Sequence, residues 1–210
     1  EIGGVPVIIR TVRAFLAVEE IDMVYVGIKP DWHDYTDELF ERFGIDKERV
    51  RVIDGGTDRN GTVMNIAEAI VAEHGENEGD IILTHDAVRP FVTEKIIRDN
   101  ISAMAKHSAC GTYMPAADTI IRSDGEKVRE TLNRSELYQA QTPQTFRLRD
   151  LRRNYYSLSE EQNKKLTDTC SVFTACYEDI YLVLGDALNF KITTDSDLRM
   201  ANALAELSEK

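Results

Sequence analysis

Asp80-Ile81-Ile82-Leu83-Thr84-His85-Asp86-Ala87-Val88-Arg89-Pro90-Phe91 joins an apolar run to an acid and a base three residues apart. A short run without polar alternation suits a strand buried on both faces, here over residues 80–84. The pattern repeats toward the N-terminus: residues 23–28 (MVYVGI) are another such run, and residues 50–53 read as a strand ending at Asp54-Gly55-Gly56. Helical patterns lie between them. Residues 6–19 put Val7, Ile8, Val12, Phe15 and Leu16 on one face, with Pro6 suited to the first turn. Residues 32–43 form a second helix stopped by Gly44. A third, capped by Thr57 or Asp58, runs to about His74, and a fourth covers 94–107. This alternation predicts an α/β domain with a mostly parallel sheet covered on both faces.

After residue 110 the pattern changes. Residues 111–115 and 119–122 read as strands, and 127–132 return across the turn Ser123-Asp124-Gly125-Glu126, so 115–135 should project as a β-arm. A short apolar stretch follows, flanked by Asn133-Arg134 and Gln141-Thr142-Pro143-Gln144. Helices are expected over 148–158 and 168–176, a strand over 180–184, and a last helix from Asp195 to the C-terminus with Ala201, Leu204 and Leu207 inward.

The 210 residues suit one domain with a full core, and no apolar run approaches the ~20 residues needed to cross a bilayer. The net charge of −12 repels nucleic acid and anionic membrane, so neither is an expected partner. It repels phosphates too, so a phosphate ligand requires a local cluster of cations. Cys110, Cys170 and Cys176 are odd in number and widely spaced, which fits core fillers in a reducing, cytoplasmic compartment. His33, His74, His85 and His107 lack metal-ligand spacing, and Trp32 and Tyr35 are expected to pack.

In an open α/β sheet, ligands sit beyond the carboxyl ends of the strands. Four segments follow such ends. Asp54-Gly55-Gly56-Thr57-Asp58-Arg59-Asn60-Gly61-Thr62 offers a close backbone approach and a helix N-terminus to an anion, although on its own an ordinary strand-to-helix turn is the simpler reading. Asp86 is placed to hold Mg²⁺, and Arg89 to fix the loop or bind phosphate; a plain Asp86–Arg89 ion pair explains the two residues equally. Arg134 is a candidate for a second phosphate or is surface charge. Lys191 and Thr193 share strand parity and would offer an ammonium and a hydroxyl to an oxyanion, whereas capping alone explains Thr194 and Asp195, and the helix dipole explains Asp197.

Together GGTDRNGTV, HDAVRPFV, PAADTI, NRSELYQAQTPQTF, LTDTC and NFKITTDSDL resemble, in order and spacing, the sugar-alcohol-phosphate cytidylyltransferases, over residues 1–205. The resemblance implies a single Rossmann-like nucleotidyltransferase domain using CTP and a divalent cation. Gly56, Thr57 and Thr62 would line the cytosine and ribose pocket. Asp86 would hold Mg²⁺ against the phosphates, with Arg89 supporting its loop, and Lys191 would face the reacting phosphates. Thr119, Arg134, Thr142, Thr167 and Thr193 would surround the alditol phosphate. The arm would cross to a partner subunit, implying a homodimer. The family normally opens with a strand, a glycine-rich loop bearing an arginine, and a Pro-Lys-Gln segment, which this sequence lacks. HDAVRPF, GGTDRN, LTDTC and Asp31-Trp32-His33 look more like the ribitol-5-phosphate branch than the methylerythritol-phosphate branch. Two other classes stay open on the residues: a non-catalytic nucleotide-binding subunit, supported by the missing loop, and a dehydrogenase, disfavoured by the lack of GxGxxG.

Overall fold

The computed structural model describes residues 1–208. The first helix, α1 (Val7–Leu16), starts behind Pro6 and buries Ile9, Thr11, Val12 and Phe15. Strand β1 (Val24–Ile28) follows, then a 3₁₀ turn, Pro30–Trp32, leading into α2 (His33–Arg42). The chain leaves α2 through Gly44 at φ +63°, a left-handed position that costs glycine nothing. Strand β2 (Val50–Asp54) feeds α3 (Arg59–His74), capped by Asp58, whose carboxylate accepts the Gly61 N–H at 2.7 Å. Strand β3 (Ile81–Thr84) and helix α4 (Glu94–Ala103) come next, with Thr93 capping.

Strand β4 (Ala109–Pro115) runs out to a separate hairpin, β5 (Ile121–Ser123) and β6 (Val128–Thr131), which is the expected arm with shorter strands. Strand β7 (Tyr138–Arg147) returns into the sheet and passes directly into α5 (Leu148–Ser157). The short helices α6 (Glu160–Asn163) and α7 (Cys170–Ala175), the strand β8 (Tyr181–Leu184) and the helix α8 (Asp195–Ser208) complete the described chain.

Strands β1 and β2 pair in parallel, while the larger sheet has the order β3-β7-β4-β8. Strand β7 is antiparallel to both β3 and β4, and β8 is parallel to β4. Thus β3, β4 and β8 share one direction, as the mostly parallel reading requires, and β7 is the reversed strand among them. Opposite Thr112, the register shifts between Gly111 and Tyr113, so that Gln141, Thr142 and Pro143 face a single β4 residue. A bulge of this kind re-aims side chains, and Gln141 and Thr142 are consecutive yet both buried.

The core lies on both sides of the sheets. Val63, Met64 and Ala67 of α3 meet Phe146, Leu151 and Phe173, with the Phe146 and Phe173 rings stacked at 4.9 Å. On the α1–α2 side, Ile9 and Val12 pack with Leu39, Phe40 and Val50. Burying each large side chain contributes ~1.5–3 kcal/mol. A cavity of about 390 Å³ separates β1 from β3, with Val24, Val26, Ile66, Ile82 and Leu83 among its walls. Within the described residues, β1 pairs only with β2, and β3 only with β7.

Several expectations need correction. The stretch after the arm, read only as a short apolar run, is a central strand, β7. The helix expected over 168–176 is limited to Cys170–Ala175, because Asp168 and Thr169 are held by Gln144. Leu207 is 70% exposed, and Ala205 takes the inward position one turn after Ala201. The continuation of α8 over Glu209 and Lys210 falls outside the described residues. Trp32 and Tyr35 touch edge to face at 5.6 Å but stay largely exposed, so they pack on each other and not into the core. Lys191 and Thr193 lie in irregular chain before α8, both exposed, with Ile192 half-buried between them.

Candidate active site

The turn after β2 is shaped by close backbone approach. A Cβ on Gly56 would run into Gly61 and lie 2.6 Å from the Thr62 nitrogen, so only glycine lets the turn fold over the first turn of α3. The Thr62 hydroxyl accepts the Gly56 N–H at 2.9 Å and donates to the Asp58 carbonyl at 2.9 Å. Gly27 of β1 makes room for the Thr62 methyl in the same way. Thr57 is exposed beside this turn.

Beyond β3, Asp86 is surrounded by cations. Its Oδ1 lies 3.1 Å from Arg59 Nε, and its Oδ2 lies 3.2 Å from Lys191 Nζ and 3.4 Å from Arg89 Nε. Burial alone would raise the Asp86 carboxyl, but Arg59 and Lys191 outweigh it and hold the group below the ordinary carboxylate range. One negative charge against three positive ones leaves a local surplus of two. That is the cation cluster an acidic chain needs if it is to receive phosphates.

The loop carrying Asp86 is held from behind. His85 Nε2 lies 3.0 Å from the Arg89 carbonyl, which can only accept, so the proton sits on Nε2. Nδ1 must then accept, and the Thr142 hydroxyl donates to it at 3.0 Å. The Thr142 oxygen in turn accepts the Asp86 N–H at 3.1 Å. Burial pulls the His85 imidazole down to about 4, which keeps it neutral in this role. Thr142 is buried, with its hydroxyl between the His85 ring and the Asp86 amide.

Arg89 is almost fully buried, and burial lowers its guanidinium while Asp86 opposes the shift. Its Nη1 donates to the Asn189 carbonyl at 2.8 Å. Asn189 Nδ2 donates to the Thr142 carbonyl at 2.8 Å, and Gln141 donates to the Asp186 carbonyl at 2.9 Å. These bonds tie the segment before Lys191 to the bulge in β7 and bring Lys191 onto Asp86.

The other expected residues are spread around this centre. Arg134 and Thr119 are exposed at the root of the arm, where Arg134 Nη1 donates to the Ala117 carbonyl at 2.7 Å. Thr167 is exposed ahead of α7. The Thr193 hydroxyl donates to Asp197 at 3.0 Å, and Thr194 caps α8 by accepting the Asp197 N–H. Asp197 therefore does more than face the helix dipole: it accepts from the Thr193 and Thr194 amides, which pull its carboxyl down to about 2. Five residues escaped the sequence reading: Arg59, Gln141, Gln144, Thr169 and Asn189. The conspicuous signal was the polar content of a segment ending in an apolar residue, Gln141-Thr142-Pro143-Gln144-Thr145-Phe146, which suits a buried hydrogen-bonding strand.

A strand-end acid caged by cations, beside a glycine turn at a helix N-terminus, defines a phosphate-handling α/β enzyme of the nucleotidyltransferase class. Residues 1–206 match the family model IspD: 2-C-methyl-D-erythritol 4-phosphate cytidylyltransferase, and the chain belongs to this family of cytidylyltransferases. It is 41% identical over 201 residues to a ribitol-5-phosphate cytidylyltransferase of Lactiplantibacillus plantarum, covering 96% of this chain and 86% of that protein. The 4-diphosphocytidyl-2C-methyl-D-erythritol synthase structure from Anaerococcus prevotii superposes with a TM-score of 0.85 at 32% identity, over 98% of this chain and 88% of that one. The 2-C-methyl-D-erythritol 4-phosphate cytidylyltransferase structure from Thermus thermophilus gives 0.78 at 25% identity, over 98% and 91%.

Proposed function

We propose that this chain transfers the cytidylyl group of CTP to D-ribitol 5-phosphate, forming CDP-ribitol and pyrophosphate. The observation that carries the choice of alditol is the 41% identity, across nearly the whole chain, to a ribitol-5-phosphate cytidylyltransferase. The family model and the structural neighbours, named for the methylerythritol compound, favour 2-C-methyl-D-erythritol 4-phosphate as the second reading.

In the proposed reaction an oxygen of the alditol phosphate attacks the α-phosphorus of CTP. The bond from that phosphorus to the oxygen bridging to the β-phosphate breaks, and pyrophosphate leaves with the electron pair. Two anions must meet, so the protein's work is positioning and charge neutralisation. Gly56, Thr57 and Thr62 would take the cytidine, with Lys191 set against the reacting phosphates and Arg89 holding the loop. Arg134 would receive the alditol phosphate, with Thr119, Thr142, Thr167 and Thr193 around it.

Asp86 is an oxygen donor of the kind Mg²⁺ accepts, and Mg²⁺ in phosphate-transfer sites takes one or two carboxylates and fills its shell with phosphate oxygens and water. Asp86 would therefore hold the cation together with CTP, and the cation would neutralise phosphate charge. Further parts of the reading are a cytoplasmic homodimer joined through the arm, and an additional strand followed by a cation-bearing glycine-rich loop. The cavity between β1 and β3 supports that strand: it has apolar walls and a strand edge on each flank.

The test is pyrophosphate release with CTP and Mg²⁺, comparing ribitol 5-phosphate with 2-C-methyl-D-erythritol 4-phosphate. A kcat/KM at least tenfold higher for ribitol 5-phosphate is expected. The reverse preference would establish the second reading, and release with neither would overturn both.

A further inference from the structure

Arg59 makes two contacts with different parts of the molecule. Its Nε reaches Asp86 Oδ1 at 3.1 Å, and its Nη1 donates to Thr169 Oγ1 at 2.8 Å. Asp86 lies in the loop after β3, and Thr169 lies in the segment that leads from Thr167 into α7. The guanidinium is a rigid planar fork, so the two bonds fix one distance and one angle between these segments.

The connection continues beyond Arg59. The Thr169 and Cys170 amides both donate to Gln144 Oε1, at 3.1 and 3.2 Å, and Gln144 Nε2 donates to Asp168 Oδ2 at 2.6 Å. Gln144 is 1% exposed on β7, two residues from the Thr142 that holds the Asp86 N–H. The path closes: Asp86 carboxylate, Arg59, Thr169, Gln144, the β7 backbone, Thr142, Asp86 amide. Around such a loop, no member shifts without straining another.

We infer that Arg59 is a positioning residue that couples the nucleotide side of the site, at Asp86, to the alditol-phosphate side, at the Thr167–Thr169 segment. The inference rests on the proposed division of the site between CTP and the alditol phosphate. Arg59 touches neither reacting group in this role. It acts by holding Asp86 and Thr169 at a fixed separation, so each half-site feels the loss of the other's anchor.

Two substitutions test this. Thr169→Val keeps the shape and removes only the hydroxyl, on the alditol side; Thr169→Ser restores a hydroxyl. Arg59→Lys keeps the charge, but its single compact head cannot span both partners. Titration calorimetry with CTP and Mg²⁺, without alditol phosphate, should show CTP affinity about tenfold weaker in Thr169→Val and near wild type in Thr169→Ser, the scale of one hydrogen bond to a charged group. Arg59→Lys should raise the KM for ribitol 5-phosphate about tenfold, and adding Thr169→Val should worsen it by less than the product of the single effects. Unchanged CTP affinity in a folded Thr169→Val, or fully multiplicative effects, would overturn the coupling while leaving the proposed reaction standing. Wild-type protein that binds CTP yet turns over neither alditol phosphate would refute the reaction, and the CTP titrations would still decide the coupling.

Discussion

Lys191 Nζ lies 3.2 Å from Asp86 Oδ2, linking the segment before α8 to the end of β3. The lysine is 44% exposed while the aspartate is 12% exposed, so the ammonium reaches from the solvent edge onto a largely enclosed carboxylate. On the proposed reaction, an incoming phosphate would meet Lys191 before Asp86, and nucleotide charge would first be neutralised there.

Lys191→Ala should therefore lower kcat by about 10²–10³, the usual cost of deleting one donor to a developing oxyanion. CTP affinity should weaken less than about fivefold, since Arg59 and Arg89 remain on Asp86. Steady-state kinetics beside a CTP titration separate the two quantities. Unchanged turnover would remove Lys191 from the reaction.

Arg134 sits on exposed chain at the root of the arm, bonded to the Ala117 carbonyl. Its truncation should raise the KM for the alditol phosphate about tenfold or more while shifting kcat little, since a charge-assisted bond to a bound phosphate contributes ~1.5–3 kcal/mol. An unchanged KM would assign Arg134 to holding the arm's shape alone.

Gly56→Ala would place a methyl against the first turn of α3. Overpacking of this kind costs ~1–3 kcal/mol, and in a chain of this size that lowers Tm by roughly 3–10 °C. CTP binding should fall as well, because relief of the clash would move Thr62 off the Gly56 amide. A thermal melt with and without CTP reads both effects.

His85 gives a pH signature. Its folded value, about 4, lies below the ordinary value of 6.5, so under acid conditions the unfolded chain takes up a proton that the folded chain refuses. Its contribution is thus intact above about pH 6.5 and is lost progressively as pH falls toward 4, by ~1.4 kcal/mol per pH unit at most. Urea unfolding of wild type and His85→Gln at pH 7.5, 6.0 and 5.0 should show a smaller acid loss in the variant. Equal slopes would contradict the neutral, buried role.

The sequence exposed the fold where burial and polarity agree. Residues 23–28 and 81–84 are mostly apolar and at least half-buried in their strands, and the caps at Asp58 and Thr93 and the stop at Gly44 follow local chemistry. β7 hid itself for the opposite reason. Its residues Gln141, Thr142, Gln144 and Thr145 are buried to bond other segments, and Pro143 argues against a central strand. In the site, Asp86, Arg89 and Lys191 could be found because they follow strand ends or share a motif. Arg59 could not: a charged side chain at a helix start looks solvated until the fold supplies Asp86 and Thr169 as its partners.

The reversed strand also sets a length. Tyr138 marks where the arm rejoins the sheet, and four residues further on, Thr142 holds the amide of Asp86. A chain of four residues spans no more than ~14 Å. β7 is thus a ruler laid between the root of the arm and the caged carboxylate. On the proposed function, a substrate or second subunit gripping the arm would pull on the end of that ruler.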